Sequence, residues 1–221
     1  RLTLIHQHQD QHMTAGQIHA ASEFASAIDE AVRQVATSRA RYFEHAPGGP
    51  LAEACRQACQ LGYLNQVGNG IVEMTDAGRK YIEHADWLMR LQLALQAAHD
   101  PVYEDLVETA DCGAFDGGCV CVAQALQQVI GGEIAVLINT RNKADHAVVH
   151  VNGVLVDFDG PLPPSGLIER FSLNEGVAIK GWRPMRKGDL PGAFRDDDLV
   201  DRMRAILQQA FDGEMQPEPL P

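Results

Sequence analysis

Three side chains in the second half of the chain, Cys119, His146 and Asp157, have the types and the order needed for nucleophilic catalysis. In such a site the cysteine thiolate attacks a carbonyl carbon, the histidine moves the proton and the carboxylate orients the imidazole. This chemistry breaks or transfers an amide or ester bond, and no cofactor is expected. Hydrolysis, deamidation and acyl transfer share these steps and differ in the acceptor that reaches the thioester, so all three stay open.

The predicted nucleophile stands at the start of a helix. A mostly apolar run begins at Cys119 and ends at a glycine pair, which predicts a buried helix over residues 119–130. The first turn of a helix offers free N–H groups and the positive end of the dipole, which favour a thiolate and a developing oxyanion. Gly117 and Gly118 would let a substrate approach the backbone there, and they form the predicted substrate and oxyanion region.

A β-hairpin carries the predicted base and its orienting carboxylate. The pair Asn152-Gly153 suits a two-residue type I′ turn between two apolar strands. With that turn His146 would face Asp159 directly and Asp157 diagonally, all on one face. We predict Asp157 as the orienting residue, because the twist of a hairpin brings a diagonal partner within reach. Asp159 is the alternative.

These segments resemble known cysteine-nucleophile families. The string Gly117-Gly118-Cys119-Val120-Cys121-Val122-Ala123 resembles the nucleophile helix of papain-like cysteine peptidases, although Val120 stands where an aromatic residue usually follows the cysteine. The order Cys, His, Asp, with His-Ala-Val-Val and Val-Leu-Val-Asp, resembles the transglutaminase-like and arylamine N-acetyltransferase families, whose catalytic aspartate corresponds to Asp157. The resemblance covers about residues 111–160. It implies a papain-like α+β fold and a protein or peptide-like small-molecule substrate.

Other interpretations compete with a catalytic site. The cysteines could be small core residues, and an aspartate pair before a glycine could be a turn. Asp111 and Asp116 would raise the pKa of a nearby thiol. A zinc site could use five residues, but their Cys-x6-Cys-x-Cys spacing lacks the usual close cysteine pair, so no metal is expected: Cys112, Cys119, Cys121, His146 and His150.

The first half of the chain has the signals of a small helical domain. Thr14 is a plausible N-cap of a long amphipathic helix, and Pro50 suits the first turn of a second helix that Gly62 closes. A turn at Gly68-Asn69-Gly70 then predicts a short hairpin, and Thr75 caps a helix that runs to about residue 99.

This order of elements, over about residues 20–95, resembles a bacterial winged-helix domain. In a DNA-reading member the second helix would enter the major groove with basic side chains, but here it offers Arg56 and little else. Packing or protein contact is therefore favoured, and nucleic acid is possible but not favoured. The alternative function is a DNA-binding regulator whose papain-like half senses a ligand or is catalytically silent.

We predict an α+β protein with two domains. Asp100-Pro101 is a natural break, which gives a winged-helix-like domain over residues 14–100 and a papain-like cysteine domain over residues 101–213. Flexible tails are predicted over residues 1–13 and 214–221.

Composition and charge narrow the function classes. The net charge is −12, and after residue 100 the chain holds 10 Lys and Arg against 19 Asp and Glu, which disfavours nucleic-acid binding by that half. No apolar run is long enough to span a membrane. Five cysteines without the spacing of a secreted scaffold indicate reduced thiols and a cytoplasmic location. One basic cluster is either a solvated face or a contact for an anionic substrate: Lys180, Arg183, Arg186 and Lys187.

Overall fold

The computed structural model describes residues 15–38 and 43–215. The predicted N-terminal tail, the Thr14 cap and residues 216–221 lie outside this part of the chain. Within it, no helix combines the length and the apolar character needed to cross a membrane. The fold is mixed α+β with two antiparallel sheets.

The first compact unit, Arg1–Asp86, is built around a small sheet. Its three antiparallel strands have the order β1-β3-β2. One side of the sheet packs against α1 and α2 in a core that includes Val32, Cys55 and Val72. The last helix continues beyond Asp86 into the second unit. The elements are α1 (Ala15–Thr37), β1 (Phe43–Glu44), α2 (Gly49–Gln60), β2 (Leu64–Gly68), β3 (Ile71–Met74) and α3 (Asp76–Ala110).

The predicted boundary signals of α2 and α3 are confirmed. Pro50 lies in the first turn of α2. Gly62 follows the helix with a φ of 78°, a conformation that suits glycine, and its N–H donates to the carbonyl of Cys59 at 3.0 Å. Thr75 Oγ1 accepts the N–H of Gly78 at 3.0 Å, which is an N-cap hydrogen bond.

The predicted helix break at Asp100-Pro101 is wrong. Helix α3 runs through Pro101 to Ala110, and the chain divides into its two units between Asp86 and Trp87, inside this helix, rather than near residue 100. The apolar residues Ala98, Val102 and Leu106 recur at helical spacing and are buried in the core of the second unit. That burial outweighs the roughly 3 kcal/mol cost of a proline in a helix interior.

The second unit, Trp87–Pro221, contains a five-stranded antiparallel sheet of order β7-β6-β5-β4-β8. The helix that begins at Cys119 has the predicted bounds, residues 119–130. The last helix continues through residues 214 and 215, where a flexible tail was predicted. The elements after α3 are α4 (Cys119–Ile130), β4 (Glu133–Asn139), β5 (Ala144–Val151), β6 (Val154–Asp157), β7 (Gly160–Leu162), α5 (Pro164–Glu175), β8 (Ile179–Pro184) and α6 (Asp197–Met215).

Side chains alternate between two cores on the faces of this sheet. Ala147 and Val149 of β5 and their neighbours pack with α4 and α6. On the other face, Val148 of β5 and Leu155 of β6 pack with Leu167 of α5. Both faces are thus covered, and β5 lies in the middle of the sheet.

The hairpin β5–β6 has the predicted turn and register. Asn152 and Gly153 have φ values of 49° and 81°, as a type I′ turn requires, and His150 pairs with Leu155. The predicted direct pairing of His146 with Asp159 does not form, because β6 ends at Asp157 and the chain turns back into β7. His146 instead pairs with Leu137 of β4.

Candidate active site

The loop before α4 places Cys119 at the first residue of the helix, where its side chain is 5% exposed. A Cβ atom at Gly118 would lie 2.6 Å from Leu106 and 2.9 Å from the carbonyl oxygen of Gly113, so a larger residue does not fit. Gly117 has a φ of 142°, which L-amino acids rarely adopt. The structure thus gives Gly118 a packing role and Gly117 a backbone-conformation role, and their predicted role in substrate approach stays a prediction.

His146 and Asp157 meet at the ends of two neighbouring strands. His146 Nε2 lies 3.5 Å from Asp157 Oδ2, and the two residues are 1% and 2% exposed. The other carboxylate oxygen of Asp157 accepts hydrogen bonds from the guanidinium of Arg170 and from the N–H of Asp159, the latter at 3.0 Å. Asp157 therefore lies between two cationic partners, and Asp159 contributes its backbone to the same carboxylate.

Two aromatic rings enclose the imidazole of His146. The Phe115 ring stacks on one side with a centroid separation of 5.1 Å and an interplanar angle of 18°. The Phe171 ring lies 4.7 Å away at 24°. These contacts restrict rotation of the imidazole and exclude water from it. With Nε2 directed at Asp157, the other ring nitrogen is left for the thiol.

The electrostatics of the pair favour a thiolate and an imidazolium. Burial raises the pKa of the Cys119 thiol, but His146 and the N–H of Ala147 outweigh it, and the pKa falls below its ordinary value. Burial lowers the pKa of His146, but the interactions with Asp157 and Cys119 outweigh burial and raise the pKa to about 9. The two groups therefore stabilise each other in their charged forms.

The two candidate orienting carboxylates differ in their surroundings. Burial raises the pKa of Asp157, but His146 and Arg170 outweigh it and hold the pKa below its usual range. The pKa of Asp159 is raised by burial and by the Asp157 charge. The structure brings Asp157 to His146 and leaves Asp159 exposed in the turn that follows.

The other two cysteines of this region have raised pKa values. Burial raises the pKa of Cys121, whose thiol donates to the carbonyl oxygen of Phe194 at 3.4 Å. Burial and Asp116 raise the pKa of Cys112. The carboxylate of Asp116 also accepts the N–H of Gly113 and so forms part of the loop. Its charge thus acts on Cys112, and Cys119 is the thiol whose pKa is lowered.

The residues considered for zinc do not converge on one point. Within residues 15–38 and 43–215, no three His, Cys, Asp or Glu side chains are placed to share a metal ion. His150 stacks against Trp182 at 4.5 Å.

Sequence reasoning missed three residues of the site. Arg170 and Phe171 lie on α5, more than ten positions from Asp157, and Phe115 lies on the loop before Cys119. The local sequence around Phe171 contains no signal for which strand end its helix covers. These contacts are set by tertiary packing and not by a local pattern.

No protein-family model, curated protein or solved structure matches this chain. The family resemblances noted in the sequence therefore stay resemblances. A functional conclusion has to rest on the geometry and electrostatics of the site itself.

Proposed function

We propose that the second unit is a papain-like, transglutaminase-like cysteine domain that cleaves or transfers the acyl group of an amide or ester. Cys119 is the nucleophile, His146 the acid and base, and Asp157 the orienting carboxylate. The observation that carries this proposal is the buried contact of His146 with Asp157 beside a thiol of lowered pKa at a helix start. Charged groups are costly to bury unless their interactions compensate, and perturbed pKa values cluster at functional sites.

In the first half of the reaction the Cys119 thiolate attacks the carbonyl carbon. A carbon–sulfur bond forms, and the carbonyl electron pair moves to the oxygen. The N–H of Cys119 at the start of α4 helps to stabilise that oxyanion. The His146 imidazolium then donates its proton to the leaving nitrogen or oxygen, whose bond to carbon breaks, and a thioester remains.

In the second half the neutral His146 removes a proton from water or from an amine. The acceptor attacks the thioester, the carbon–sulfur bond breaks, and the thiolate and the imidazolium are restored. Asp157 stabilises the imidazolium at both stages, and Arg170 holds Asp157 in place from its other oxygen. Water gives hydrolysis or deamidation, and an amine gives acyl transfer.

The burial of the Cys119 thiol limits how a substrate can reach it. Cys119 is 5% exposed and His146 is 1% exposed. A substrate carbonyl therefore reaches the sulfur when a covering group moves. Phe115 is the group that we propose moves, because it is partly exposed and stacks on the imidazole of His146. A protein or peptide-like small molecule stays the proposed class of substrate.

The test uses p-nitrophenyl acetate, a small activated ester, and the intact mass of the protein. We expect a burst of nitrophenol and the gain of one acetyl group, mapped to Cys119 by peptide mass spectrometry. Cys119→Ala should remove both signals, and Cys121→Ala, which deletes a thiol in the same helix, should retain them. Acetylation that persists in Cys119→Ala, or a wild-type protein that neither bursts nor gains mass, would overturn the proposal.

We infer that the first unit is a winged-helix-like contact domain. Helix α2 followed by the β2–β3 hairpin, with β1 added to the sheet, supports this resemblance. Arg56 of α2 pairs with Glu53 of the same helix, which reduces the charge that a DNA-reading helix would offer. Protein contact is therefore favoured over DNA. Retention on duplex DNA that weakens steeply with added salt would reverse this preference.

A further inference from the structure

Positive charge in the second half of the chain is concentrated at one place. Six of the ten Lys and Arg residues after residue 100 lie in the segments 141–143 and 180–187, although that part of the chain holds nineteen Asp and Glu residues. The two segments are the β4–β5 loop and strand β8 with the start of the loop that follows it. They lie together, since the Lys180 ammonium donates to the side chain of Asn142. We call these two segments the basic edge.

The basic edge contains a cleft of about 410 Å³. Trp182, partly exposed, forms an aromatic wall, and Lys180 and Arg186 supply cationic side chains. None of the residues that line the cleft is acidic, and its volume falls in the range of small-molecule sites. Its lining residues are Ile138, Asn142, Lys180, Gly181, Trp182, Arg183 and Arg186.

The cations of this cleft are not equivalent. Arg183 donates to both carboxylate oxygens of Asp189, at 2.6 and 2.8 Å, so its charge is matched. The N–H of Arg186 donates to the same carboxylate at 2.8 Å, which fixes the backbone of the loop. Among the described residues, no carboxylate forms an ion pair with the Lys180 or Arg186 side chain, and the Asp189 carboxylate forms its ion pair with Arg183. The Arg186 charge acts on Asp189 only from beyond ion-pair distance. The Lys180 and Arg186 side chains are therefore positioned by an ordered backbone and have no direct acidic partner.

We propose that the cleft binds an oxyanion group, a carboxylate or a phosphate, through Lys180 and Arg186 beside the ring of Trp182. Strongly hydrogen-bonding anions are the ligands that unmatched ammonium and guanidinium groups select. Leu137 pairs with His146 on one side and with Trp182 on the other. The cleft thus lies two strands, about 10 Å, from His146. Binding there does not depend on the proposed thiol chemistry.

The experiment follows the indole N–H of Trp182 in ¹H–¹⁵N spectra. The chain has two tryptophans, so Trp87→Phe identifies the signal. Inorganic phosphate and succinate are titrated in separate arms at constant ionic strength. We expect a saturable shift in at least one arm. Saturation with phosphate alone assigns a phosphate ligand, saturation with succinate alone a carboxylate, and saturation with both the shared oxyanion chemistry.

Matched variants distinguish binding of the anion in the cleft from general attraction to the positive charge of the basic edge. Lys180→Gln and Arg186→Gln should each weaken binding about fivefold or more, because each removes a charge-assisted hydrogen bond. Lys187→Gln removes the same charge one residue outside the cleft and should change binding less than about twofold. A Cys119→Ser protein should bind as the wild type does, so a failure of the proposed catalysis leaves this result intact. No saturable shift in either arm, or equal weakening by Lys187→Gln, would overturn the proposal.

Discussion

Strand β5 carries two histidines on the same face of the sheet, and their surroundings differ. His146 is 1% exposed, lies between two phenylalanine rings and contacts Asp157. His150, four residues further along the strand, is partly exposed, and its ring contacts the Trp182 ring at an interplanar angle of 40°. The residue type, strand and face are shared. The comparison shows that a carboxylate and enclosing walls, rather than the histidine alone, create the candidate acid–base group.

The largest expected effect separates these two histidines. His146→Ala should slow alkylation of Cys119 by iodoacetamide about 100-fold at pH 7, because the thiolate loses its imidazolium partner. His150→Ala is the matched control and should leave the rate unchanged. Peptide mass spectrometry at substoichiometric reagent identifies the labelled thiol. Equal slowing in both variants, or preferential labelling of Cys112 or Cys121, would contradict the comparison.

The second effect concerns the support of the carboxylate. Arg170→Gln should lower the free energy of unfolding by about 2 kcal/mol, since the buried Asp157 charge loses one of its two cationic partners. Arg202→Gln breaks the exposed pair with Asp105 and should leave the unfolding free energy nearly unchanged. Urea denaturation monitored by circular dichroism measures both. An Arg170→Gln protein as stable as the wild type would show that Asp157 does not need Arg170.

The third effect compares the two aspartates. Asp157→Asn should slow acetyl transfer from p-nitrophenyl acetate about 10-fold or more, because asparagine does not stabilise the imidazolium. Asp159→Asn retains the N–H that Asp157 accepts and should slow transfer by less than about threefold. Single-turnover kinetics at pH 7 give both rates. A greater loss of rate in Asp159→Asn than in Asp157→Asn would show that Asp159, and not Asp157, is the orienting carboxylate.

The smallest expected effect is a displacement along the pH axis. The pKa of Cys119 is lowered from the ordinary value of 9.0, so the thiolate persists to lower pH and the alkylation midpoint should lie below 9. In His146→Ala burial acts without the imidazole, and the midpoint should move upward. The rate of labelling between pH 5 and 10 measures it. A wild-type midpoint at or above that of the variant would contradict the coupling.

Local sequence signals predicted the helix that carries Cys119 and the hairpin that carries His146 and Asp157, because turn residues and apolar periodicity determine both. The glycine pair after residue 130 and the apolar run gave the bounds of α4. Asn152-Gly153 gave the turn and the register of the hairpin. The relation of His146 to Asp157 follows from that register together with strand twist. The catalytic roles of these residues stay predictions.

The contacts that complete the site could not be predicted in this way. Phe115 and Arg170 reach the imidazole and the carboxylate through packing of a loop and of α5, and side-chain periodicity carries no information on such distant pairs. The continuation of α3 through Pro101 has the same origin, because burial of Val102 and Leu106 outweighs a local helix-breaking signal. The missed contacts and the wrong helix break both lie where tertiary contacts override local preference.

Helix α3 consequently contains a weak link. Pro101 has no N–H, so the carbonyl of Ala97 lacks its donor one turn ahead, and the ladder of backbone hydrogen bonds is interrupted inside a 35-residue helix. Proteins open locally in contiguous segments whose opening free energies differ. We therefore expect the turns before and after Pro101 to open as separate segments. Amide hydrogen exchange would resolve them as separate protection levels along one continuous helix.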